Sequence, residues 1–217
     1  MAKKKGMSRA GYFLTALLVL AFLSALLLSF RFDSSIVGFI SGLQNASLNK
    51  FMLLVTYAGS SIAVLFLLTS IFLYHKHKRK WLLPLWLSLL FSFIFSAALK
   101  GVFVRIRPYY LGFPTLQALI QNAYLFSSSF PSQHAAVAFS ALPLLNKEFP
   151  RFRFFWLAFA CLVGFSRVYF SLHYLSDVLA GAALGYAVGL AVVKLEEKYR
   201  YSRILAVLGK LFRCAKK

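Results

Sequence analysis

The sequence predicts an all-α integral membrane protein, a bundle of six transmembrane helices with both termini in the cytoplasm. Of its 217 residues, 60% are hydrophobic and 14% are charged, and 25 Lys and Arg against 5 Asp and Glu give a net charge of +20. A soluble domain is about 45–50% apolar and about 25% charged, so the excess apolar surface indicates contact with lipid. The basic residues form short clusters between apolar runs, as orientation in a bilayer requires, rather than the stripe of a nucleic-acid binder. We expect membrane lipids as partners and no nucleic acid.

Six apolar segments define the predicted helices, at residues 11–30, 51–74, 81–100, 133–145, 152–165 and 178–193. A helix needs about 20 residues to cross about 30 Å of hydrocarbon, so the first three segments are long enough. The others approach that length with their flanks, but the fourth stays short and its outer end is expected below the membrane surface. The first segment is longer than the apolar part of a secretory signal, so we expect it to be retained as a helix.

The distribution of Lys and Arg predicts the orientation of the bundle. Four precede the first segment, four lie in residues 75–80, three in 146–153 and eight after residue 193, so one side holds 19 of the 25. The more basic side faces the cytoplasm. A single membrane domain, residues 11–195, then lies between a basic cytoplasmic amino terminus, residues 1–10, and a basic tail, residues 196–217. The tail is expected to lie on anionic lipids of the inner leaflet.

Three polar stretches fall at the outer ends of the predicted helices: residues 100–108 (KGVFVRIRP), 131–134 (PSQH) and 166–177 (SRVYFSLHYLSD). In the first, Lys100 and Arg107 are two helical turns apart and can share a face. Lys supplies a point charge and Arg a two-pronged donor for phosphate oxygens. Pro108 bends the chain directly after Arg107. The alternative is that both cations extend to the membrane interface without binding a ligand.

The second stretch places polar groups at the start of a helix. Ser132 is a good N-cap, and the N–H groups of Gln133, His134 and Ala135 would be unpaired donors, as in many anion sites. His134 in this first turn could protonate a departing oxygen. The alternative is an ordinary capped helix with an interfacial histidine.

The third stretch has a histidine and a carboxylate four residues apart. Asp177 can accept a hydrogen bond from one imidazole nitrogen of His173 and leave the other free as a nucleophile. Arg167 would bind the same phosphate. The alternative is a simple interfacial ion pair, but Asp177 is one of only five acids and begins an apolar helix. Ionisable groups at membrane depth are functional candidates by default.

Together the three stretches resemble the signature motifs of the type-2 phosphatidic acid phosphatase and haloperoxidase superfamily: K-x6-RP, PSGH and SR-x5-H-x3-D. The resemblance extends over residues 50–195 and implies a membrane lipid phosphatase, since the haloperoxidases are generally soluble. It implies His173 as nucleophile, Asp177 as its orienting partner and His134 as general acid. The implied phosphate-binding residues are Lys100, Arg107, Ser132 and Arg167, and Gln133 is expected to join them. No metal or other cofactor is expected, because three cations and a helix terminus already neutralise the phosphate.

Gln133 departs from the family pattern, which has Gly at this position. A residue at the start of a helix has negative φ, so Gln can supply the same backbone N–H. We therefore expect a working site whose substrate preference is altered by the side chain.

Three other features receive structural interpretations. The small-residue spacing of Gly181, Gly185 and Gly189 predicts close helix packing. His75 and His77 lie among four cations and are interpreted as part of a cytoplasmic anchor, because the cations disfavour a metal ion. Cys161 and Cys214 have no metal or redox spacing and are expected to be unpaired.

The expected reaction is hydrolysis of a lipid phosphomonoester or pyrophosphate through a phosphohistidine on the extracytoplasmic face of the cell membrane. Phosphatidic acid, phosphatidylglycerol phosphate and isoprenoid pyrophosphates are candidate substrates, and the oligomeric state is left open. One alternative is a lipid phosphotransferase, in which an alcohol replaces water at the same site. The other is a non-catalytic lipid-binding or lipid-moving protein. Such a protein is expected to have lost the nucleophile or its partner, whereas this chain has both His173 and Asp177.

Overall fold

The computed structural model describes residues 9–116 and 128–201, and every regular element in these ranges is helical. Three 3₁₀ turns, Lys76–Trp81, Pro108–Leu111 and Pro150–Phe152, lie between the α-helices. The eight α-helices of the described ranges are α1 (Arg9–Ser41), α2 (Ala46–Ala58), α3 (Ser61–Tyr74), α4 (Leu82–Val102), α5 (Gln133–Ser140), α6 (Leu142–Glu148), α7 (Arg153–Tyr169) and α8 (Leu175–Tyr199).

Within the described ranges, four stretches are long and apolar enough to cross a membrane: Val19–Ser41, Lys76–Val102, Pro150–Tyr169 and Leu175–Tyr199. The pair α2 and α3 gives a fifth if it is counted as one bent span. The chain is thus a multi-pass, all-helical protein, and the predicted number of six spans is not confirmed. The predicted fourth segment is split into α5 and α6, because Pro143 in the first turn of α6 cannot donate to the preceding turn.

The first helix is longer than predicted and continues past residue 30 to Ser41. Hydropathy drops at Arg31 and Asp33, which is why the sequence suggested an end there. Asp33 is nevertheless only 3% exposed, since its carboxylate pairs with Arg105 of the loop after α4. One face of the end of α1, with Asp33, Val37 and Ser41, is therefore buried against the rest of the protein.

The predicted single helix over residues 51–74 is wrong, since α2 and α3 meet at an angle of 67°. The Ser60 side chain accepts a hydrogen bond from the Ala63 N–H and so caps α3. Gly59 lies against α7, where a Cβ atom would come within 2.5 Å of the Val163 side chain. The bend thus brings the chain close to α7, and only a residue without a side chain fits there.

Helix α8 packs closely on α5 and thereby positions the amino end of α5. A Cβ atom at Gly181 would lie 2.3 Å from the carbonyl oxygen of Ser132, and one at Gly185 would lie 1.9 Å from that of Ala136. Gly189 makes the equivalent approach to Ser140. This confirms the predicted close packing. It also brings the amino ends of α5 and α8 together, where the Ser132 N–H donates to the Asp177 carbonyl oxygen over 2.9 Å.

Three of the basic segments lie at the end of the bundle opposite to the amino ends of α5 and α8. The Lys78 ammonium donates to the carbonyl oxygen of Glu148 and lies 3.6 Å from the centre of the Phe149 ring. Lys147 forms an ion pair with Glu197. Residues 75–80, 146–153 and the end of α8 are therefore neighbours, which agrees with the assignment of all three to one side of the membrane.

Candidate active site

His173 lies in the short connection between α7 and α8 and is 2% exposed. Its backbone N–H donates to the Arg167 carbonyl oxygen, and Ser171 within the same turn has a positive φ of 53°. The ring atom Nδ1 is 2.7 Å from the carbonyl oxygen of Ser129. A carbonyl oxygen only accepts hydrogen bonds, so this contact assigns the proton to Nδ1 and the lone pair to Nε2. The imidazole is thus held with Nε2 available for attack.

Asp177 does not bond directly to His173, contrary to the interaction expected from their spacing. The distance from Nδ1 to the carboxylate Oδ2 is 3.7 Å, which is too long for a hydrogen bond. Oδ2 instead accepts from the Ser129 hydroxyl and, over 2.8 Å, from the Tyr174 N–H. This geometry follows from the position of Asp177 in the first turn of α8, where its carboxylate caps the helix. Asp177 therefore contacts the imidazole through Ser129.

Three cations are buried around the imidazole, and we refer to Lys100, Arg107 and Arg167 as the cation cluster. They are 6%, 5% and 8% exposed. Lys100 Nζ donates to the Ser128 carbonyl oxygen over 2.7 Å. One terminal nitrogen of Arg167 donates to the Thr56 hydroxyl on α2 over 2.6 Å, whereas its Nε has no hydrogen-bond partner in the described part of the chain. The cluster thus holds three positive charges and at least one unused donor.

The electrostatic surroundings of His173 reflect this arrangement. Burial lowers the pKa of His173 well below its ordinary value, and the charges of Arg107, Lys100 and Arg167 lower it further. Both effects disfavour protonation of the second ring nitrogen, which would make the ring positively charged. The imidazole is therefore neutral near pH 7, the state in which it can act as a nucleophile.

The PSQH stretch forms the start of α5 as predicted. Ser132 is the N-cap residue, but its hydroxyl does not cap the helix and has no hydrogen-bond partner among the described residues. Gln133 begins the helix, and its side-chain Nε2 is also without a partner there. His134 in the same turn lies within electrostatic range of Arg167 and His173. All eight predicted site residues are therefore gathered at one end of the bundle.

Four residues that contact this site were not predicted from the sequence. Ser129 bonds to His173 and Asp177, and its signal was its place in the polar run FSSSF at residues 126–130. Thr56 binds Arg167, and no sequence feature indicated it. Asp33 and Arg105 form an ion pair of 2.7 Å. An acidic residue beside an apolar segment could have indicated Asp33 as a functional candidate.

No group of three or more His, Cys, Asp or Glu side chains in residues 9–116 and 128–201 is placed to hold a metal ion. The cationic groups described above are instead suited to an anion. The expected independence of metals stays a prediction.

Comparisons with known proteins agree with this combination of fold and site. The sequence profile of the PAP2 superfamily matches residues 81–201, which is more than half of the chain and includes all eight predicted site residues. The chain belongs to the PAP2 superfamily. It is accordingly a multi-pass membrane member of that superfamily.

Three individual similarities are informative. An undecaprenyl-diphosphatase from Sulfolobus acidocaldarius is 28% identical over 154 residues, which cover 70% of this chain and 73% of the relative. An inositol phosphorylceramide synthase from Candida albicans is 33% identical over 67 residues, 31% of this chain and 14% of that longer protein. The crystal structure of a transmembrane PAP2 type phosphatidylglycerolphosphate phosphatase from Bacillus subtilis superposes with a TM-score of 0.64 at 23% identity, over 83% of this chain and 96% of that one.

Proposed function

We propose that this protein is a membrane lipid phosphatase that hydrolyses a lipid phosphomonoester or pyrophosphate through a phosphohistidine on His173. The main support is the hydrogen bond from His173 Nδ1 to the Ser129 carbonyl oxygen, which leaves Nε2 unprotonated beside the cation cluster. A neutral nucleophile next to three cations suits attack on a phosphate group, whose charge would otherwise repel a nucleophile.

In the first step, Nε2 of His173 attacks phosphorus and a P–N bond forms as the bond from phosphorus to the leaving oxygen breaks. The negative charge of the bound phosphate favours the doubly protonated form of His134. His134 donates one of these protons to the leaving oxygen, so the lipid leaves as a neutral alcohol or, from a pyrophosphate, as a protonated monophosphate. The cation cluster and the N–H groups at the start of α5 bind the non-bridging oxygens. The hydroxyl of Ser132, which has no hydrogen-bond partner among the described residues, supplies a further donor.

In the second step, water attacks the phosphohistidine. His134, now without its proton, accepts one from this water as the new P–O bond forms. The P–N bond breaks, its electrons return to Nε2, and inorganic phosphate leaves. The proton on Nδ1 remains in its bond to Ser129 throughout, so the imidazole is ready for another cycle.

Electrostatic stabilisation is expected to supply the largest part of the rate. Lys100, Arg107 and Arg167 are fixed before substrate binds and are almost completely buried, so they interact with charge in a medium of low dielectric constant. We propose that these cations do the work that a metal ion does in many other phosphatases. Activity is expected to survive excess chelator and to be inhibited by vanadate, which mimics pentacoordinate phosphorus.

The substrate is proposed to be a lipid whose phosphate is reached from the extracytoplasmic leaflet. The site lies at the end of the bundle opposite the basic segments, which the charge distribution assigns to the cytoplasm. The name of the Sulfolobus relative adds support for a polyprenyl pyrophosphate among the candidates. Phosphatidic acid and phosphatidylglycerol phosphate present a comparable terminal phosphate.

A phosphotransferase is the second candidate, because the Candida relative is named a synthase and matches over part of this chain. In that reaction an alcohol would take the place of water in the second step. A non-catalytic lipid-binding role is less well supported, since the site has both histidines and all three cations.

The test uses the purified full chain in detergent with phosphatidic acid, phosphatidylglycerol phosphate and undecaprenyl pyrophosphate as substrates. We expect phosphate release from at least one, loss of turnover in His173→Ala, and an acid-labile phosphoenzyme in His134→Ala when the leaving group is good. Full activity in His173→Ala would contradict the mechanism. A product formed with an added lipid alcohol, in place of free phosphate, would identify the transferase.

A further inference from the structure

A second set of charges, outside the cation cluster, joins α1 to the start of α8. One terminal nitrogen of Arg105 lies 2.7 Å from Asp33 Oδ2, and the other lies 2.6 Å from Asp177 Oδ1. We refer to Asp33, Arg105 and Asp177 as the carboxylate bridge. We propose that Asp33 and Arg105 are positioning residues, which fix Asp177 and, through Ser129, aim His173 at phosphorus. This inference rests on the proposed function of His173.

The geometry of the bridge requires a guanidinium. Arg presents its donors in a rigid fork, so a single side chain can bind two carboxylates at once, whereas the ammonium of Lys is a single point of charge. Asp33 is 3% exposed and Asp177 is fully buried, and an unpaired carboxylate at either position would be strongly destabilising. Arg105 therefore satisfies both acids.

The bridge is connected to the nucleophile through Ser129. Arg105 binds Oδ1 of Asp177, which leaves Oδ2 to accept from the Ser129 hydroxyl. The carbonyl oxygen of the same serine accepts the proton of His173 Nδ1 over 2.7 Å. Rotation of the Asp177 carboxylate would displace Ser129 and with it the imidazole. Arg105 prevents this rotation because it binds one oxygen of the carboxylate and is itself held by Asp33.

Asp33 also fixes the backbone from which Asp177 extends. Its Oδ1 accepts from the Ser176 N–H over 3.1 Å, and its Oδ2 accepts from the Ser176 hydroxyl. The hydroxyl of Ser176 accepts in turn from Arg105 over 2.6 Å. Two hydrogen bonds thus link Asp33 on α1 directly to Ser176, and Arg105 adds three contacts, to Asp33, Ser176 and Asp177. All five lie beside the connection that carries His173.

The position of Arg105 argues against a role as a fourth phosphate ligand. Both of its terminal nitrogens are engaged by carboxylates, and its guanidinium carbon lies 4.1 Å from the centre of the Tyr174 ring and 5.2 Å from that of Phe30. Burial by itself would lower the pKa of Arg105, but Asp177 and Asp33 raise it overall, so the group stays charged. Arg105 is therefore a fixed counter-charge to two acids.

The experiment compares Asp33→Asn, Asp33→Glu and Arg105→Lys in the purified full chain. Asp33→Asn and Arg105→Lys should lower kcat by about tenfold or more and change KM by less than about twofold, because the cation cluster that binds phosphate is intact. Asp33→Glu restores the charge and should recover part of kcat. Arg31→Gln, at an exposed position near Asp33 on α1, is the matched control and should have the kcat of the unaltered protein.

A comparison of two substrates with different leaving groups shows whether Asp33 and Arg105 act on His173 or on His134. With p-nitrophenyl phosphate, which needs no protonation of its leaving oxygen, the defect of His134→Ala should shrink. The defects of Asp33→Asn and Arg105→Lys should stay as large as with phosphatidic acid, since they affect attack by His173.

Folding is measured separately, by thermal unfolding in detergent and by the stoichiometry of phosphoenzyme. The inference is overturned if kcat per folded molecule is unchanged in Asp33→Asn and Arg105→Lys, or if a smaller folded fraction accounts for the whole loss. Arg105→Lys keeps a cation in the bridge and is the variant expected to fold best. Inactivity of the unaltered protein on all substrates, or full activity of His173→Ala, would instead contradict the proposed function.

Discussion

The pH dependence of the proposed reaction should depend on His173, since the proposed nucleophile is its neutral imidazole. An exposed histidine has a pKa of about 6.5. Burial and the neighbouring cations lower the pKa of His173 well below this value, so the ring stays neutral as the pH falls through 6.5. We expect the acid limb of kcat/KM to lie below pH 6.5, as measured in a series of buffers at constant ionic strength.

Ionisation of the substrate phosphate also affects such a profile, and Lys100→Met controls for it. Removing this cation takes away one of the charges that lower the pKa of His173. The residual activity should then have its acid limb at higher pH, whereas the ionisation of the substrate is unchanged. An identical limb in the two proteins would assign it to the substrate rather than to His173.

Gln133 contributes to the proposed site through its backbone, because it occupies the first position of α5. Gln133→Gly retains the N–H and removes the side chain. Activity should stay within about tenfold, or roughly 1.4 kcal/mol, on the preferred substrate. The ratio of kcat/KM between phosphatidic acid and undecaprenyl pyrophosphate should change more than either value alone. A much larger loss on every substrate would give the side chain a direct role in the reaction.

The residues of the three motifs could be identified from the sequence because each motif is local. Lys100 and Arg107, or His173 and Asp177, are only a few residues apart, so the chain itself keeps the members of each pair close. The helical register expected for both pairs is wrong, because α4 ends at Val102 and α8 begins only at Leu175. Ser129 could not be assigned, since its contacts to His173 and Asp177 depend on how the loop before α5 folds back. The pairing of Asp33 with Arg105 joins residues 72 apart in the sequence, and no local pattern indicates it.

Among the helices, the contact of α8 with α5 is the one most sensitive to an added methyl group. Gly185→Ala would place a Cβ atom 1.9 Å from the backbone oxygen of Ala136, so one of the helices must move. Overpacking of this kind typically costs about 1–3 kcal/mol. We expect a lower unfolding temperature in detergent and lower activity, because the amino end of α5 would be displaced.

Gly101→Ala is the control for this substitution. Gly101 lies in the last turn of α4 and has nothing within 4 Å of a Cβ position. Ala has the higher helix propensity, so this variant should unfold at the same or a higher temperature. Equal stability of both variants would mean that α8 does not approach α5 as closely as described.

Hydropathy located the helices well but not their interruptions. The break between α2 and α3 occurs within a continuous apolar run, because capping by Ser60 and contact of Gly59 with Val163 outweigh the hydropathy pattern. The extension of α1 was missed for the opposite reason. Asp33 lowers the hydropathy, but its charge is balanced by a residue far away in the sequence.

For the whole molecule, the main prediction concerns its orientation in the membrane. With 19 Lys and Arg on one side and 6 on the other, residues 75–80 should face the cytoplasm and the active site the exterior. Cysteine substitutions at Lys76 and Leu111, both exposed, are introduced separately after Cys161 and Cys214 are replaced by Ser. In intact cells an impermeant thiol reagent should label position 111 and not position 76. The reverse pattern would place the reaction in the cytoplasm.

The proposed role of the carboxylate bridge implies an order of events during synthesis of the protein. Asp33 is on the first described helix, but its partners Arg105 and Ser176 follow 72 and 143 residues later. While the ribosome translates the intervening helices, this carboxylate lacks both of these partners and is better solvated at the membrane surface than in the lipid. The end of α1 can therefore take its final place only after Arg105 has emerged. The proposed site is complete only once Asp177 at the start of α8 has been added. We therefore expect a nascent chain that stops before residue 177 to insert helices without hydrolysing a lipid phosphate.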